Sequence, residues 1–411
     1  MAKKFKFGLQ RKVTLGLALM LTISLLVTST LSYIQSQRVA ERKVIELEET
    51  QLAVLQHEIQ GSLQQHQNIL LSLRDVPPIQ AVLRARLHNG VDPESGDSLK
   101  VWKNRLSTTF SSFVFNHPQY LQIRYIDSDG NEMVRVQADS NGNPEKVTES
   151  SLQNKASELY VKQSLKLQHN EVFFSNVTLN REHGVIQVPH QPVLRMATPV
   201  HMADGQVKGL IVINLATDIL FSDIQVDNKG VSQFVADEQG NYIKHSDPEK
   251  TFAQDKGLNF NFNTEYPELA SFSNDYDQLI RRFENHNEIL GFQKIYYAPL
   301  EKDRYWLLTL QVPESVVFAD IQTSLNNMLI VGLGIGILSL MLVVWFVSRR
   351  ILNPVLNLAA AAKSLQKGDL SIRLDTSLVH DEFRTLYETI NTFTIKQQEY
   401  TCELQEEINV S

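Results

Sequence analysis

Two long apolar stretches, residues 13–34 and 328–347, set the tightest limit on how this chain can fold. They are 22 and 20 residues long, and neither contains Asp, Glu, Lys or Arg. A helix needs about 20 apolar residues to cross the hydrocarbon core of a bilayer, and a soluble core helix rarely stays uncharged over that length. The sequence therefore predicts two transmembrane helices that flank residues 35–327.

The basic residues beside these stretches predict their orientation. No Lys or Arg occurs between Arg304 and Arg349, whereas Arg349 and Arg350 follow the second stretch at once, and residues 1–12 are also basic. Because Lys and Arg favour the cytoplasmic side, we expect both termini in the cytoplasm and residues 35–327 in the periplasm. The first stretch is too long for a cleaved signal peptide and has no small-residue cleavage site, so we expect an uncleaved anchor. The chain is then a two-pass protein of the bacterial inner membrane.

Cysteine content and charge limit the partners and the compartment. The single cysteine, Cys402, follows the second stretch, so residues 35–327 contain no disulfide and depend on an apolar core. A bacterial periplasm suits such a domain better than a eukaryotic exterior, where small domains are commonly held by disulfides. The formal net charge of −7 argues against a nucleic acid partner.

A long helix is predicted directly after the first span. Between Ser36 and Leu73 there is one Gly and no Pro, and Ile45, Leu52 and Ile59 recur seven residues apart. This spacing is typical of an amphipathic helix, which we expect the pair Pro77-Pro78 to end. The first part of the chain is therefore divided as follows: a basic cytoplasmic N-terminus (1–12), a transmembrane helix (13–34) and a stalk helix (35–77).

Beyond the prolines the periodicity changes to that of strands. Residues 121–127 and 131–137 alternate in polarity around Ser128-Asp129-Gly130, which predicts a β-hairpin. The order of strand, acidic turn with glycine, and strand recurs over residues 233–244. We expect two successive modules of antiparallel strands with flanking helices, residues 78–220 and 221–325.

Three segments carry a family resemblance: the hairpin Ile123–Val136, the segment Pro192–Pro199, and Asp237–Pro248 followed by Tyr266–Leu269. Together they resemble double-Cache sensor domains, the extracytoplasmic ligand-binding modules of bacterial histidine kinases, chemoreceptors and diguanylate cyclases. The resemblance covers about residues 36–325 and implies a membrane-distal and a membrane-proximal PAS-like subdomain, with ligand capture in the distal one. The Arg-x-Trp-Tyr motif of the amino-acid-binding subset is absent around Tyr160, which argues against an amino acid ligand.

Arginines on the distal strands are candidate ligand-binding residues. With a hairpin loop at residues 127–130, Arg124 and Arg135 share one face of the hairpin and Glu132 lies on the other, apolar face. Guanidinium groups that converge on a cavity suit a carboxylate or phosphate, whereas the alternative is that they form ion pairs with Glu132 or Asp127 on an exposed face. For a small anionic or polar periplasmic ligand, the candidate contacts are Arg195, Arg124, Arg135 and Tyr160.

The segment after the second stretch has the features of a two-helix linker. Pro354 stands at the start of its first helix, where the missing N–H costs least, and Gly368 is placed to end that helix. Asp381 and Glu382 place acidic side chains at the N-terminus of the second helix. Apolar residues form a seam on each helix at spacings of three to four residues: Ile351, Val355, Leu358 and Leu365, then Leu386, Ile390 and Phe393.

These residues resemble a HAMP domain, which implies a parallel four-helix coiled coil formed by two copies of the chain. Arg384 is a departure, because the family usually has glycine there. We assign residues 348–400 to this domain and residues 401–411 to the start of a coiled-coil extension. The residues expected to relay a signal are Pro354, Leu358, Gly368, Asp381, Glu382 and Leu386.

The predicted fold is α+β, with two transmembrane helices, a long stalk helix, two PAS-like antiparallel-sheet subdomains outside and a helical HAMP coiled coil inside. The predicted function is that of a homodimeric sensory receptor, without catalytic residues, cofactor or metal, because no nucleotide-binding loop, nucleophile motif or metal-ligand spacing is found. Two alternatives stay open. The chain is the sensor part of a longer histidine kinase or diguanylate cyclase, or it serves a separate cytoplasmic signalling protein, as in two-component and chemoreceptor systems.

Overall fold

The computed structural model describes residues 9–410 apart from 183, 203, 225–229, 284–286 and 380. The chain forms two units. One unit, Ala40–Phe318, contains two large antiparallel sheets and a two-stranded one, and the other consists of Met1–Val39 with Ala319–Ser411.

The first helix, α1, runs from Leu9 to Arg74. Its apolar side is buried in the later part, where Leu52 and Leu70 are fully covered. Helix α1 ends three residues before Pro77, and the proline pair begins helix α2 (Pro77–Leu87), so the prediction that these prolines close the first helix is corrected. A proline in the first turn of a helix lacks an N–H that would have no helical partner there.

The first module contains the strands β1 (Tyr120–Asp127), β2 (Glu132–Ala138), β3 (Pro144–Lys146), β4 (Phe173–Phe174), β5 (Thr178–Leu179), β6 (Arg181–Glu182), β7 (Val185–Ile186), β8 (Pro192–His201) and β9 (Val207–Ala216). Its seven-stranded antiparallel sheet has the order β3-β2-β1-β9-β8-β4, with β5 also paired to β8, while β6 and β7 form a separate hairpin. Its helices, besides α2, are α3 (Leu99–Asn116), α4 (Leu159–Ser164) and α5 (Thr217–Leu220).

The two faces of this sheet are buried against different elements. Ile123, Tyr125 and Ile213 point into the main core, which also contains Phe110 of α3 and Leu70 of α1. The opposite face carries a smaller cluster that includes Val212, Phe173 and Tyr160 of α4. The sheet therefore packs against α1 and α3 on one side and against a thin apolar layer that includes the short helix α4 on the other.

The hairpin between β1 and β2 differs from the predicted alternation at one point. Arg124 pairs with Arg135 and Tyr125 with Val134, so the two arginines share one face as predicted, but the register shifts between Tyr125 and Ile126. This bulge moves Glu132 to the arginine face, where it forms an ion pair with Arg124 at 3.3 Å. The prediction that Glu132 lies on the apolar face is therefore wrong, because a bulge reverses the alternation of side chains beyond it.

The second module has one five-stranded antiparallel sheet in the order β11-β10-β14-β13-β12. Its elements are β10 (Ser232–Asp237), β11 (Tyr242–Lys244), α6 (Phe262–Glu265), α7 (Pro267–Asp275), β12 (Gln278–Phe283), β13 (Glu288–Tyr296) and β14 (Tyr305–Pro313). Strand β14 lies between β10 and β13, and its Trp306 is fully buried. An aromatic cluster around Phe234 and Phe292 fills one side of this sheet.

The same turn closes the first hairpin of each module. Asp127 Oδ1 accepts hydrogen bonds from the N–H groups of residues 129 and 131, and Asp237 Oδ1 accepts from those of residues 239 and 241. Gly130 has φ +86°, and a Cβ there would lie 2.5 Å from the backbone nitrogen of Ala156. The acidic-glycine turns seen in the sequence therefore have a common physical cause.

Among the described residues, two helices are long and apolar enough to cross a membrane, α1 and α8 (Glu314–Val347). The helical unit contains the first part of α1, up to Val39, and α8 from Ala319 onward. A π-helical turn, Ser348–Leu352, follows α8 directly and leads into α9 (Asn353–Gln366). An extended connector with a short 3₁₀ turn (Thr376–Leu378) joins α9 to α10 (Asp381–Val410). Asn391 of α10 holds this connector through both of its side-chain polar atoms, which bond the backbone N–H and C=O of Leu374 at 2.7 Å.

Candidate ligand-binding site

A cavity of about 620 Å³ lies between the first sheet, helix α4 and residues 173–184. Strand β1 contributes Arg124, strand β8 contributes Arg195, and α4 contributes Tyr160. Three of the four residues predicted to bind a ligand therefore line one cavity. Most of the other lining residues from this module are polar or charged, such as Lys155, Glu158, Gln163, Ser175, Thr178 and Arg181, and the apolar ones are Leu159 and Phe173.

Arg124 is the most deeply buried cation of this cavity, with 4% of its side chain exposed. Its Nη1 donates to the Tyr160 hydroxyl at 3.2 Å, and its Nη2 donates to Oε1 of Gln122. The same Gln122 oxygen accepts from Nδ2 of Asn214 at 3.0 Å. Hydrogen bonds among the neutral side chains of Tyr160, Gln122 and Asn214 thus fix the direction of the Arg124 guanidinium group.

Glu132 is the carboxylate nearest to Arg124, and it is shared. Its Oε1 lies 3.3 Å from Nε of Arg124 and its Oε2 lies 3.9 Å from Nη1 of Arg135, and all three side chains are at most 5% exposed. The Arg124 Nε and the Glu132 Oε1 do not meet the geometry of a hydrogen bond. Glu132 therefore lies within 4 Å of both buried guanidinium groups, of which only that of Arg124 lines this cavity.

Arg135 does not join the cavity of Arg124. It pairs with Arg124 across the hairpin but lines separate cavities of about 310 and 590 Å³. Its Nη2 donates to Oε1 of Gln137 at 2.8 Å. The predicted alternative of ion pairs on an exposed face also needs correction, because the pairs with Glu132 are buried and Asp127 instead binds Arg86 at 2.8 Å.

Arg195 is half-buried on the edge side of the sheet and is held by residues 175–180. Its Nη1 donates to the Thr178 hydroxyl at 3.1 Å and its Nη2 to Oδ1 of Asn180 at 3.4 Å. Its backbone N–H donates to Oγ of Ser175 at 2.9 Å. These bonds fix the guanidinium of Arg195 at the wall of the cavity, where it could also bind an anion.

Tyr160 adds a hydroxyl group to the wall. The side chain is 6% exposed, and burial raises its pKa, so the phenol stays protonated at neutral pH. Its oxygen accepts the hydrogen bond from Arg124, which leaves the hydroxyl hydrogen to donate to a bound molecule.

Some of the lining residues come from the second module and were missed from the sequence. These are Asp255, Glu301 and Arg304. They lie outside the strands, 39 to 88 residues after the last strand of the first module, and no periodicity or motif relates them to Arg124. Their role depends on the packing of one module against the other, which a local pattern does not encode.

The arrangement is suited to binding. Arginine, tyrosine and amide groups can hold an anion and shield it from water. Among the residues that the structure describes, no group of three or more His, Cys, Asp or Glu side chains could hold a metal ion.

Residues 96–307 match the family described as bacterial histidine kinase, sensor domain. The chain belongs to this sensor-domain family. Residues 346–396 match the HAMP domain, so the chain combines a sensor domain with a HAMP domain, as the sequence predicted. Neither matching family is a catalytic domain. A search of curated proteins gave no match.

Solved structures with a similar fold include two related sensor domains. One is the extracellular domain of vpHK1S-Z8, which is described as a histidine kinase (TM-score 0.55, 19% identity, 72% of this chain and 98% of that chain). The other is a domain of a sensory box/GGDEF family protein from Vibrio parahaemolyticus (TM-score 0.53, 19% identity, 68% and 98%). The ligand-binding domain of the Pseudomonas aeruginosa PAO1 chemoreceptor PctC, solved with GABA, is less similar (TM-score 0.45, 14% identity, 66% and 99%). At these identities the likeness establishes the mixed α+β sensor fold alone.

The predicted relay residues lie on α9, just after its end, and in the first part of α10. Pro354 starts α9 and is buried, and its carbonyl accepts a hydrogen bond from the Tyr387 hydroxyl at 3.2 Å. Gly368 follows α9 with φ +85°. Leu358 is half-buried, Glu382 is exposed, and Leu386 is 47% exposed. Asp381 is the first residue of α10, and its side chain lies outside the described part.

Proposed function

We propose that this chain is a homodimeric, two-span receptor of the bacterial inner membrane that binds a small anionic or polar ligand in the periplasm. The first module, residues 78–220, would be membrane-distal and would capture the ligand, and the second, residues 221–325, would be membrane-proximal. The basic residues after the second span support a cytoplasmic C-terminus, with both termini on that side. The HAMP segment, residues 348–400, would pass the signal on without chemistry of its own.

The observation that carries this proposal is the convergence of two arginines and a tyrosine on one cavity. Arg124, Arg195 and Tyr160 come from a strand, a second strand and a helix, and all three line the same space. Arg124 is 4% exposed, and its guanidinium lies 3.2 Å from the Tyr160 hydroxyl. Guanidinium and hydroxyl groups that face one cavity favour a ligand with a carboxylate or phosphate group.

The direct test uses the full chain in lipid nanodiscs with inorganic phosphate, acetate and succinate as probes. At a hundredfold excess over Kd, a bound probe stabilises the folded state by about 2.7 kcal/mol, which a thermal shift detects. Arg124→Lys and Arg195→Lys should reduce this shift, because lysine keeps the charge but cannot form the paired bonds of a guanidinium.

The matched control for these variants is Arg281→Lys, an exposed arginine on β12 of the second module that lies outside the cavity lining. This control should leave the shift unchanged. If all three anions fail to stabilise the chain, or if the shift survives both cavity substitutions, the ligand assignment is refuted.

The homodimer follows from the HAMP helices. Within one chain, α9 and α10 meet through Pro354, Ala361 and Tyr387, which are buried. The predicted seam residues Leu386 and Phe393 are instead 47% and 53% exposed. Two helices cannot bury both apolar surfaces alone, so a second copy is needed to complete a four-helix core. The output would come from a catalytic domain on a longer polypeptide or from a separate cytoplasmic signalling protein.

A further inference from the structure

The cavity of the first module is completed by side chains of the second. Arg304 stands at the end of the connection between β13 and β14, yet it lines the cavity together with Glu301. Its side chain is 10% exposed, so this guanidinium is embedded between the modules. An arginine buried in this way must be satisfied by several acceptors.

Both modules supply those acceptors. From the first module, the Phe174 carbonyl accepts from Nη1 of Arg304 at 2.5 Å, and Oδ1 of Asn176 accepts from Nη2 at 2.5 Å. From the second module, the Tyr297 hydroxyl accepts from Nη2 at 2.9 Å, and Glu301 forms an ion pair at 3.3 Å. The planar guanidinium group of arginine can form all of these bonds simultaneously, in a geometry that lysine cannot reproduce.

The segment bound by Arg304 also holds the cavity arginine. Ser175, between Phe174 and Asn176, exchanges two hydrogen bonds with the backbone of Arg195, at 2.8 and 2.9 Å. A displacement of Arg195 by a bound anion would therefore move the residues to which Arg304 is bonded. This places a continuous set of hydrogen bonds between the cavity wall and the second module.

On its other side, Arg304 is joined to the core of the second sheet. Tyr297 stacks on Trp306 with ring centroids 4.3 Å apart and planes 12° apart. Trp306 is fully buried in β14, the strand that runs to Pro313 and is followed directly by α8, the helix with the second predicted span. The contacts of Arg304 thus lead, by packing and by chain connectivity, towards the membrane helix.

A second contact between the modules is weaker. Asp255 accepts from the Leu179 N–H at 3.1 Å and forms an ion pair with Arg181 at 2.9 Å. The Arg181 side chain is 48% exposed, so this pair is solvated and contributes little. The buried Arg304 contact is therefore the better candidate for coupling.

We propose that Arg304 is a positioning residue that couples the ligand cavity of the first module to strand β14. The inference rests on the proposed function for the use of the cavity, but the mechanical link itself can be tested without a ligand. In this mechanism the bound anion changes the position of residues 173–180, and Arg304 transmits that change through Tyr297 to Trp306.

The ligand-free test is a double-mutant cycle on the full chain in nanodiscs, read by hydrogen–deuterium exchange of peptides that cover residues 305–313. Asn176→Ala, in the other module, should raise exchange of β14 several-fold, and Arg304→Gln should do the same. The double variant should show no more exchange than either single variant, because both substitutions break the same contact between Arg304 and Asn176. Arg281→Gln, with the same loss of charge on an exposed site of the same sheet, should leave β14 unchanged.

An unchanged β14 in Asn176→Ala, or strictly additive effects in the double variant, would overturn the coupling. A second arm adds succinate or phosphate to the wild type and to Arg304→Lys. We expect both proteins to bind the probe, with changed exchange in residues 173–180, but a change in β14 in the wild type alone. If β14 responds equally in Arg304→Lys, the coupling fails while the ligand site stands. If neither anion binds while the cycle is non-additive, the ligand site fails while the coupling stands.

Discussion

Replacing Glu132 by glutamine should destabilise the sensor domain more than any other single loss of charge on the first sheet. The carboxylate is fully buried and is shared by Arg124 and Arg135. Glu132→Gln keeps the shape of the side chain but removes a negative charge that lies within 4 Å of two buried guanidinium groups. The buried cluster would become more positive by one charge.

The size of the effect follows from the geometry. Removing one member of a buried ion pair costs about 3–5 kcal/mol. The contacts of 3.3 and 3.9 Å are longer than ideal, which favours the lower end, about 3 kcal/mol. For domains of this size 1 kcal/mol lowers Tm by about 2–4 °C, so we expect a fall of about 6–12 °C.

The assay is thermal unfolding of the full chain in nanodiscs, followed by tryptophan fluorescence. Glu145→Gln is the matched control, because Glu145 is exposed on the neighbouring strand β3. Adding Arg135→Gln to Glu132→Gln removes one buried positive charge and should recover part of the loss. A Glu132→Gln protein as stable as the Glu145→Gln control, or a double variant less stable than the single one, would refute the charge argument.

Three further outcomes are expected. Burial beside Tyr120 and His117 lowers the pKa of His66 from 6.5 to about 4, so below pH 6.5 the unfolded chain binds a proton that the folded chain does not. The Tm should then fall as pH drops from about 6.5 to about 4. A His66→Gln protein should lose most of this pH dependence. An equal fall of Tm in both proteins would contradict the assignment to His66. Leu386→Asp should abolish disulfide crosslinking between copies through a cysteine on α10, whereas the exposed control Thr392→Asp should not. A cysteine at the exposed Ser140 should react with a membrane-impermeant maleimide in cells with a permeabilised outer membrane, while the native Cys402 should not; the reverse pattern would invert the topology.

The sequence predicts local features of this chain well because local rules produce them. Alternating polarity placed Arg124 and Arg135 on the same face, and the acidic-glycine turns marked the hairpins. The prediction failed at Glu132, where a bulge between Tyr125 and Ile126 reverses the alternation. An extra residue in one strand of a pair is not revealed by the alternation of that strand alone.

The candidate site was only partly predictable for a related reason. Arg124, Arg195 and Tyr160 could be chosen because each follows a recognisable strand or helix of one module. Arg304 comes from a connection about 180 residues away from Arg124 along the chain, and its importance depends on how two modules pack. Contacts between separately folded layers are the part of a site that sequence periodicity cannot supply.

The π-helical turn at residues 348–352 has a consequence for helix phase. A π turn holds one residue more than an α-helical turn, and each residue of an α-helix advances the side chain by about 100°. The side chains of α9 are therefore turned by about 100° relative to an uninterrupted continuation of α8. Deleting or inserting one residue in this turn would rotate the whole apolar seam of α9, including Leu358, without altering a single side chain of that seam. In this segment, the number of residues therefore sets the direction in which the apolar seam of α9 faces.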